Sequence, residues 1–156
     1  MKRIALGVGL IFLAGILGRL PSSGSDVAKL QPVEVIYIYS TLGTYHMETD
    51  TGDHGRGKTV QEAFADLQKT SRGEIFLETA EHFLVAPQLA NSLDSFIPYL
   101  RPGCSVTIAT GKPDMEQVAQ FLSTHKPECT LNDVRAGENR IPILITGEER
   151  MELVQP

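Results

Sequence analysis

From residue 33 onward, short runs rich in β-branched and aromatic residues alternate with amphipathic helical patterns, and that order admits few architectures. Val33, Val35, Ile36 and Ile38, with Tyr37 and Tyr39, read as a first strand. Val60, Ala63, Phe64 and Leu67 fall at i, i+3, i+4 and i+7, one apolar face on a helix running to about Lys69. Ile75-Phe76-Leu77 and Phe83-Leu84-Val85 are short strands, and Pro87 suits the first turn of a helix carrying Leu89, Leu93, Phe96, Ile97 and Leu100. Residues 104–109 alternate as a strand, and Gly111-Lys112-Pro113-Asp114 opens a helix with Val118, Phe121 and Leu122 on its buried stripe. Residues 141–146 form the last strand, in which Pro142 favours an edge position. Residues 41–58 are polar and hold Gly43, Gly52, Gly55 and Gly57, the composition of an exposed loop or a loose hairpin. The expected class is α/β, with α+β as its alternative: a mixed sheet of four to five strands with about three packed helices.

The chain is 156 residues long, enough for one domain with a proper core. Its start stands apart from the rest. Lys2 and Arg3 precede an apolar run at 4–18, closed by Arg19 and then Pro21-Ser22-Ser23-Gly24-Ser25. A positive leader, an apolar run of this length and a small-residue tail describe a signal peptide or a membrane anchor helix over 1–25. Residues 26–32 follow as a linker, and 33–156 as a single extracytoplasmic domain, placed outside the cytoplasm by the positive-inside bias. Taking away Lys2, Arg3 and Arg19 leaves 11 basic against 19 acidic residues, a net charge of −8. Such a surface repels nucleic acid. Cys104 and Cys129 are the two cysteines, and on the oxidising side of a membrane they read either as a disulfide or as two buried free thiols.

Gly52-Asp53-His54-Gly55-Arg56-Gly57-Lys58-Thr59 spells a phosphate-binding loop and runs straight into the helical pattern at Val60. A working phosphate loop follows a buried parallel strand, whereas the residues before Gly52 are polar and acidic, and Asp53 would repel phosphate. The same letters need no ligand. Thr59 followed three residues later by Glu62 is a capping box, in which the hydroxyl accepts from the Glu62 N–H and the carboxylate reaches back to the cap N–H. A nucleotide-binding enzyme built on Gly52 to Thr59 is therefore the alternative reading.

His46, Glu48, Asp50, Asp53 and His54 gather borderline and hard metal ligands in one short stretch, yet their spacing matches no standard site. A solvated acidic loop is expected, with a secreted metal-binding module as the rival. His82 is the histidine beside an apolar run and is read as structural, hydrogen-bonding backbone at a strand end. No serine lies in a G-x-S-x-G turn, and no catalytic, cofactor or metal residue is assigned.

The order of features over roughly 90 residues resembles a known family. An extended strand, a polar loop, Gly57-Lys58-Thr59-Val60-Gln61-Glu62-Ala63 opening a helix with Leu67-Gln68, the strand at Ile75-Phe76-Leu77, His82, an apolar strand to Val85 and a helix with Leu89-Ala90 are similar to the N-terminal domain of the Ger(x)C family. These are membrane-attached C subunits of the nutrient germinant receptors of spore-forming bacteria. Family members carry a lipobox Cys after the apolar segment and continue through further domains; no Cys stands near Leu20, so the resemblance is to a shortened relative. It implies a non-enzymatic, membrane-associated or secreted protein that contacts integral-membrane receptor subunits in germination or sporulation.

Overall fold

A computed structural model describes residues 30–138, 140–147 and 150–156. The expected signal or anchor helix over 1–25 lies outside the described residues. Among those residues no helix is long and apolar enough to cross a membrane.

The strands are β1 (Leu30–Pro32), β2 (Val35–Thr41), β3 (Thr44–Thr49), β4 (His54–Gly57), β5 (Glu74–Phe76), β6 (His82–Val85), β7 (Ser105–Thr110), β8 (Ile143–Thr146) and β9 (Met151–Val154). The α-helices are α1 (Val60–Thr70), α2 (Met115–Thr124) and α3 (Leu131–Arg135). Seven strands form one mixed sheet in the order β4-β3-β2-β6-β7-β8-β9, while β1 and β5 make a separate parallel pair. Its centre, β2-β6-β7-β8, is parallel. Antiparallel β3 and β4 extend one side, and antiparallel β9 extends the other. The class is α+β, and the sheet is wider than the sequence suggests.

The extra width has two sources. Of the loop or loose hairpin expected at 41–58, the hairpin forms: β3 and β4 extend the sheet, joined to β2 through a two-residue turn in which Leu42 and Gly43 have φ of 52° and 76°. Positive φ at both positions is the type I′ geometry, whose twist matches the strands it joins. Residues 151–154 add β9 beyond β8, so Pro142 is not at an edge. It stands just ahead of β8, where its carbonyl accepts from the Ile108 N–H at 2.9 Å and the missing N–H costs nothing.

Side chains alternate between two cores, one on each face of the sheet. Ile36, Ile38, Phe83, Val85 and Val106 meet Phe64 and Leu67 of α1, Leu131 of α3 and the segment after β6. Val35, Tyr37, Leu84, Ala109 and Leu144 meet Val118 and Leu122 of α2 on the other face. Each such fully buried aliphatic or aromatic side chain is worth about 1.5–3 kcal/mol. The segment after β6 is not the α-helix its apolar spacing suggests. It forms 3-10 turns, Pro87–Ser95 and Ile97–Tyr99, interrupted at Ser92 (φ −117°, ψ 19°). Short polar side chains there bond the local backbone, as Ser95 does to the Ser92 carbonyl at 2.6 Å, and Pro98 bars a continuous helix. Leu89, Leu93, Phe96 and Leu100 are nonetheless buried, with Phe96 tilted against Phe83 at 5.3 Å.

Candidate functional site

The phosphate-loop letters of the octet lie on a strand and a helix cap, not on a phosphate loop. Gly52 is in the turn between β3 and β4, His54 to Gly57 are β4, and Thr59 caps α1. The Thr59 hydroxyl accepts from the Glu62 N–H at 3.1 Å. The Glu62 carboxylate reaches back one residue further than a capping box requires, to the Lys58 N–H at 2.8 Å. That shift has a reason in β4.

In the β3-β4 ladder the Thr49 N–H bonds the Asp53 carbonyl at 3.1 Å, and alternation from there leaves the backbone groups of His54, Arg56 and Lys58 facing away from β3. Three side chains of α1 meet them. Thr70 donates to the His54 carbonyl at 2.6 Å, Asp66 accepts from the Arg56 N–H at 3.0 Å, and Glu62 accepts from Lys58. Four helical residues advance about 6 Å and two strand residues about 6.8 Å, so the stripe 62-66-70 keeps step with 58-56-54. This close approach requires glycine: a Cβ on Gly55 would overlap the Ala63 carbonyl oxygen and Leu67, and one on Gly57 would overlap the Ala63 nitrogen and Glu62. The N–H groups that a phosphate would need at Arg56 and Lys58 are thus occupied by carboxylates.

Of the metal-ligand candidates, His46, Glu48, Asp53 and His54 line one groove of about 530 Å³ beside the hairpin, and each side chain there or at Asp50 has other contacts. Asp50 accepts from the Val35 N–H at 3.1 Å, Asp53 from Gln31 at 2.9 Å, and Glu48 from the Tyr39 hydroxyl at 3.0 Å. His46 stacks on Tyr39 at 4.9 Å, and His54 sits across from Glu48. Burial and then the Glu48 carboxylate push the Tyr39 phenol up to about 12, which keeps it a donor. Among the described residues no group of three His, Cys, Asp or Glu is arranged to hold a metal ion.

His82 and Ser105 stand side by side at the amino ends of β6 and β7, Nδ1 to Oγ 2.7 Å, both buried. The partner of His82 is therefore a side chain, not the backbone expected from sequence. The pair looks like a base and a nucleophile but lacks the geometry of one. Ser105 donates its hydrogen to the Glu81 carbonyl at 3.2 Å, which makes the imidazole the donor of the shorter contact. Burial lowers the His82 pKa, so the ring is neutral where the protein is folded at neutral pH. Ligands of open parallel sheets bind at the carboxyl ends of strands, the opposite end from this pair.

Cys104 and Cys129 are free thiols, not a disulfide. The Leu131 N–H bonds the Cys104 carbonyl and the Val106 N–H bonds the Cys129 carbonyl, so the two cysteines occupy diagonal positions around the Ser105–Thr130 bridge. Diagonal partners lie about 7–8 Å apart, beyond the reach of an unstrained bond. Burial pushes the Cys104 thiol up to about 12 and raises Cys129 as well, so neither is a ready nucleophile.

The opposite edge of the sheet carries what sequence reasoning missed. The Gly147 N–H bonds the Arg150 carbonyl at 3.0 Å, and alternation from that pair turns the N–H and C=O groups of Met151 and Leu153 outward. Among the described residues no side chain meets them. On one face of this edge Ile143, Ile145 and Val154 are 38%, 45% and 41% exposed. On the other a groove of about 370 Å³ is lined by Phe121, His125, Lys126, Arg150 and Leu153. The alternation of Met151, Glu152, Leu153 and Val154 behind Gly147 was the available signal, short enough to pass for a tail. A larger groove of about 600 Å³ lies at Glu128, Asp133, Glu138 and Arg140, but Asp133 there caps α3 through Thr130 and Arg140 is ion-paired to Glu138 at 3.2 Å. No family model, curated protein or solved structure matches this chain.

Proposed function

We propose that this chain is a non-enzymatic extracytoplasmic protein, associated with a membrane through its apolar N-terminal segment, that works by protein contacts in spore germination or sporulation. The germination setting rests on the resemblance of its helix start and strand order to the N-terminal domain of germinant receptor C subunits. The contact role rests on one observation above the others: the sheet closes its β4 edge with three side chains and, among the described residues, leaves the outward groups of β9 unmet. Unpaired edges are sites for adding another chain, and proteins that do not use them blunt them. The non-enzymatic part is supported by the occupied N–H groups of the octet, the committed Ser105 hydroxyl and the two thiols held protonated.

The test is a photo-crosslinking residue at position 153 of the full chain in a spore former, with position 56 as the control. Adducts with an integral-membrane protein at 153 and none at 56 support the reading; adducts at neither position sink it. Spores of a deletion strain that respond normally to every nutrient germinant, and form in normal numbers, would remove the germination and sporulation assignment.

A further inference from the structure

We infer that residues 125–130, between α2 and α3, are a strap that is closed over the amino end of the sheet at neutral pH and released when the His82 ring takes up a proton.

Four segments meet at this corner. Parallel pairing sets His82 of β6 between Val35 of β2 and Ser105 of β7, and an antiparallel bridge sets Thr130 of the strap beyond Ser105. His82 and Ser105 are both buried in that row. The Ser105 hydroxyl takes the Nδ1 hydrogen of His82 at 2.7 Å and gives its own to the Glu81 carbonyl at 3.2 Å. Nδ1 therefore carries the hydrogen of the neutral ring, and an added proton goes to Nε2, which has no hydrogen-bond partner among the described residues.

A charged ring is poorly placed here. β2 offers it apolar Val35, and the charged groups that reach it are Glu81 beside it, Arg101 from the turn ahead of β7 and Lys126 from the strap. Burial, with Lys126 and Arg101 set against Glu81, holds its pKa below the ordinary 6.5. With the strap open the ring regains solvent and loses Lys126, so the open form binds the proton more tightly than the closed one. Opening is thus favoured as pH falls through about 6.5 and gains until the lowered pKa of the closed form is passed.

The strap is the member that yields. β6 and β7 are interior strands with a neighbour on each side, whereas the strap end is joined to β7 by the Val106 N–H on the Cys129 carbonyl at 2.8 Å and the Leu131 N–H on the Cys104 carbonyl at 2.9 Å. Its start is tied to the tail after β9 by the Gln155 side chain, which donates to the Lys126 carbonyl at 3.2 Å.

The experiment follows amide hydrogen exchange in the full chain, in detergent micelles at low salt, as protection factors between about pH 7.5 and about pH 5. Val106 and Leu131 should lose at least about tenfold of their protection while the amides of β3 keep theirs. His82→Gln, which can still donate to Ser105 but does not titrate, should flatten the profile. Should that variant not fold, two exposed positions carry the same test: Lys126→Gln should shrink the loss and Glu81→Gln should deepen it. Flat protection at Val106 and Leu131 in the unmodified chain, an undiminished loss in His82→Gln, or charge variants that move the loss the other way or not at all would each overturn the inference. So would a loss shared in step by β3, since the whole domain would then be opening and not the strap.

Discussion

The two edges of the sheet are both short antiparallel strands, yet one is finished and the other is open. β4 has bare glycines at 55 and 57, so α1 folds back against it and Glu62, Asp66 and Thr70 take its outward groups. β9 has side chains at every position and, among the described residues, no helix side chain on its outward groups, so the N–H and C=O of Met151 and Leu153 turn away from the sheet unmet. The difference teaches that sealing an edge takes a matched pair, a strand small enough to approach and a helix with polar residues at i, i+4 and i+8. It also explains why a phosphate-loop spelling arises here without phosphate chemistry: a G-x-G-K-T string is what a sealed edge followed by a capped helix looks like.

The comparison breaks most severely at Gly55. Gly55→Ala forces α1 away from β4, and a loss of about 3 kcal/mol is expected from urea unfolding; a loss under half of that would mean the close approach is dispensable. Asp66→Ala with Thr70→Val leaves two outward groups of β4 unmet and should cost about 2 kcal/mol. The same double variant should self-associate in analytical ultracentrifugation, since it makes the β4 edge resemble β9; a stable monomer would sever the link between sealing and solitude. Between the edges, the Thr107 hydroxyl is buried with no hydrogen-bond partner among the described residues, and Thr107→Val should raise stability by about 1 kcal/mol with no change in association. Val154→Lys places a gatekeeper on the open edge and should move stability by less than about 0.5 kcal/mol. Its effect should show instead as weaker crosslinking at position 153; unchanged crosslinking would argue that β9 is not the contact edge.

Much of the fold was legible because its signals are local. The Thr59 hydroxyl bond to Glu62 depends on residues three apart, and Val60, Ala63, Phe64 and Leu67 announce a buried face by period alone. β2, β6 and β7 showed as apolar runs. The hairpin β3-β4 showed only as one of two readings, a loop or a loose hairpin, because its sequence is polar and glycine-rich, and its glycines signal close approach only once the helix that approaches is known. The disulfide alternative failed on register: two cysteines on adjacent segments are diagonal rather than opposite, a distinction composition does not carry. His82 was visible as an unusual residue, but its partner, Ser105, lies on another strand.

The sequence by itself determined the helix start at Thr59, the two-sided apolar periodicity and the acidic balance, because each follows from neighbours along the chain or from a count. Only the tertiary structure decided which edge is closed and which is open. Backbone hydrogen-bonding capacity is the same at every non-proline residue, so whether a strand can accept another chain depends on what the rest of the fold has already placed beside it.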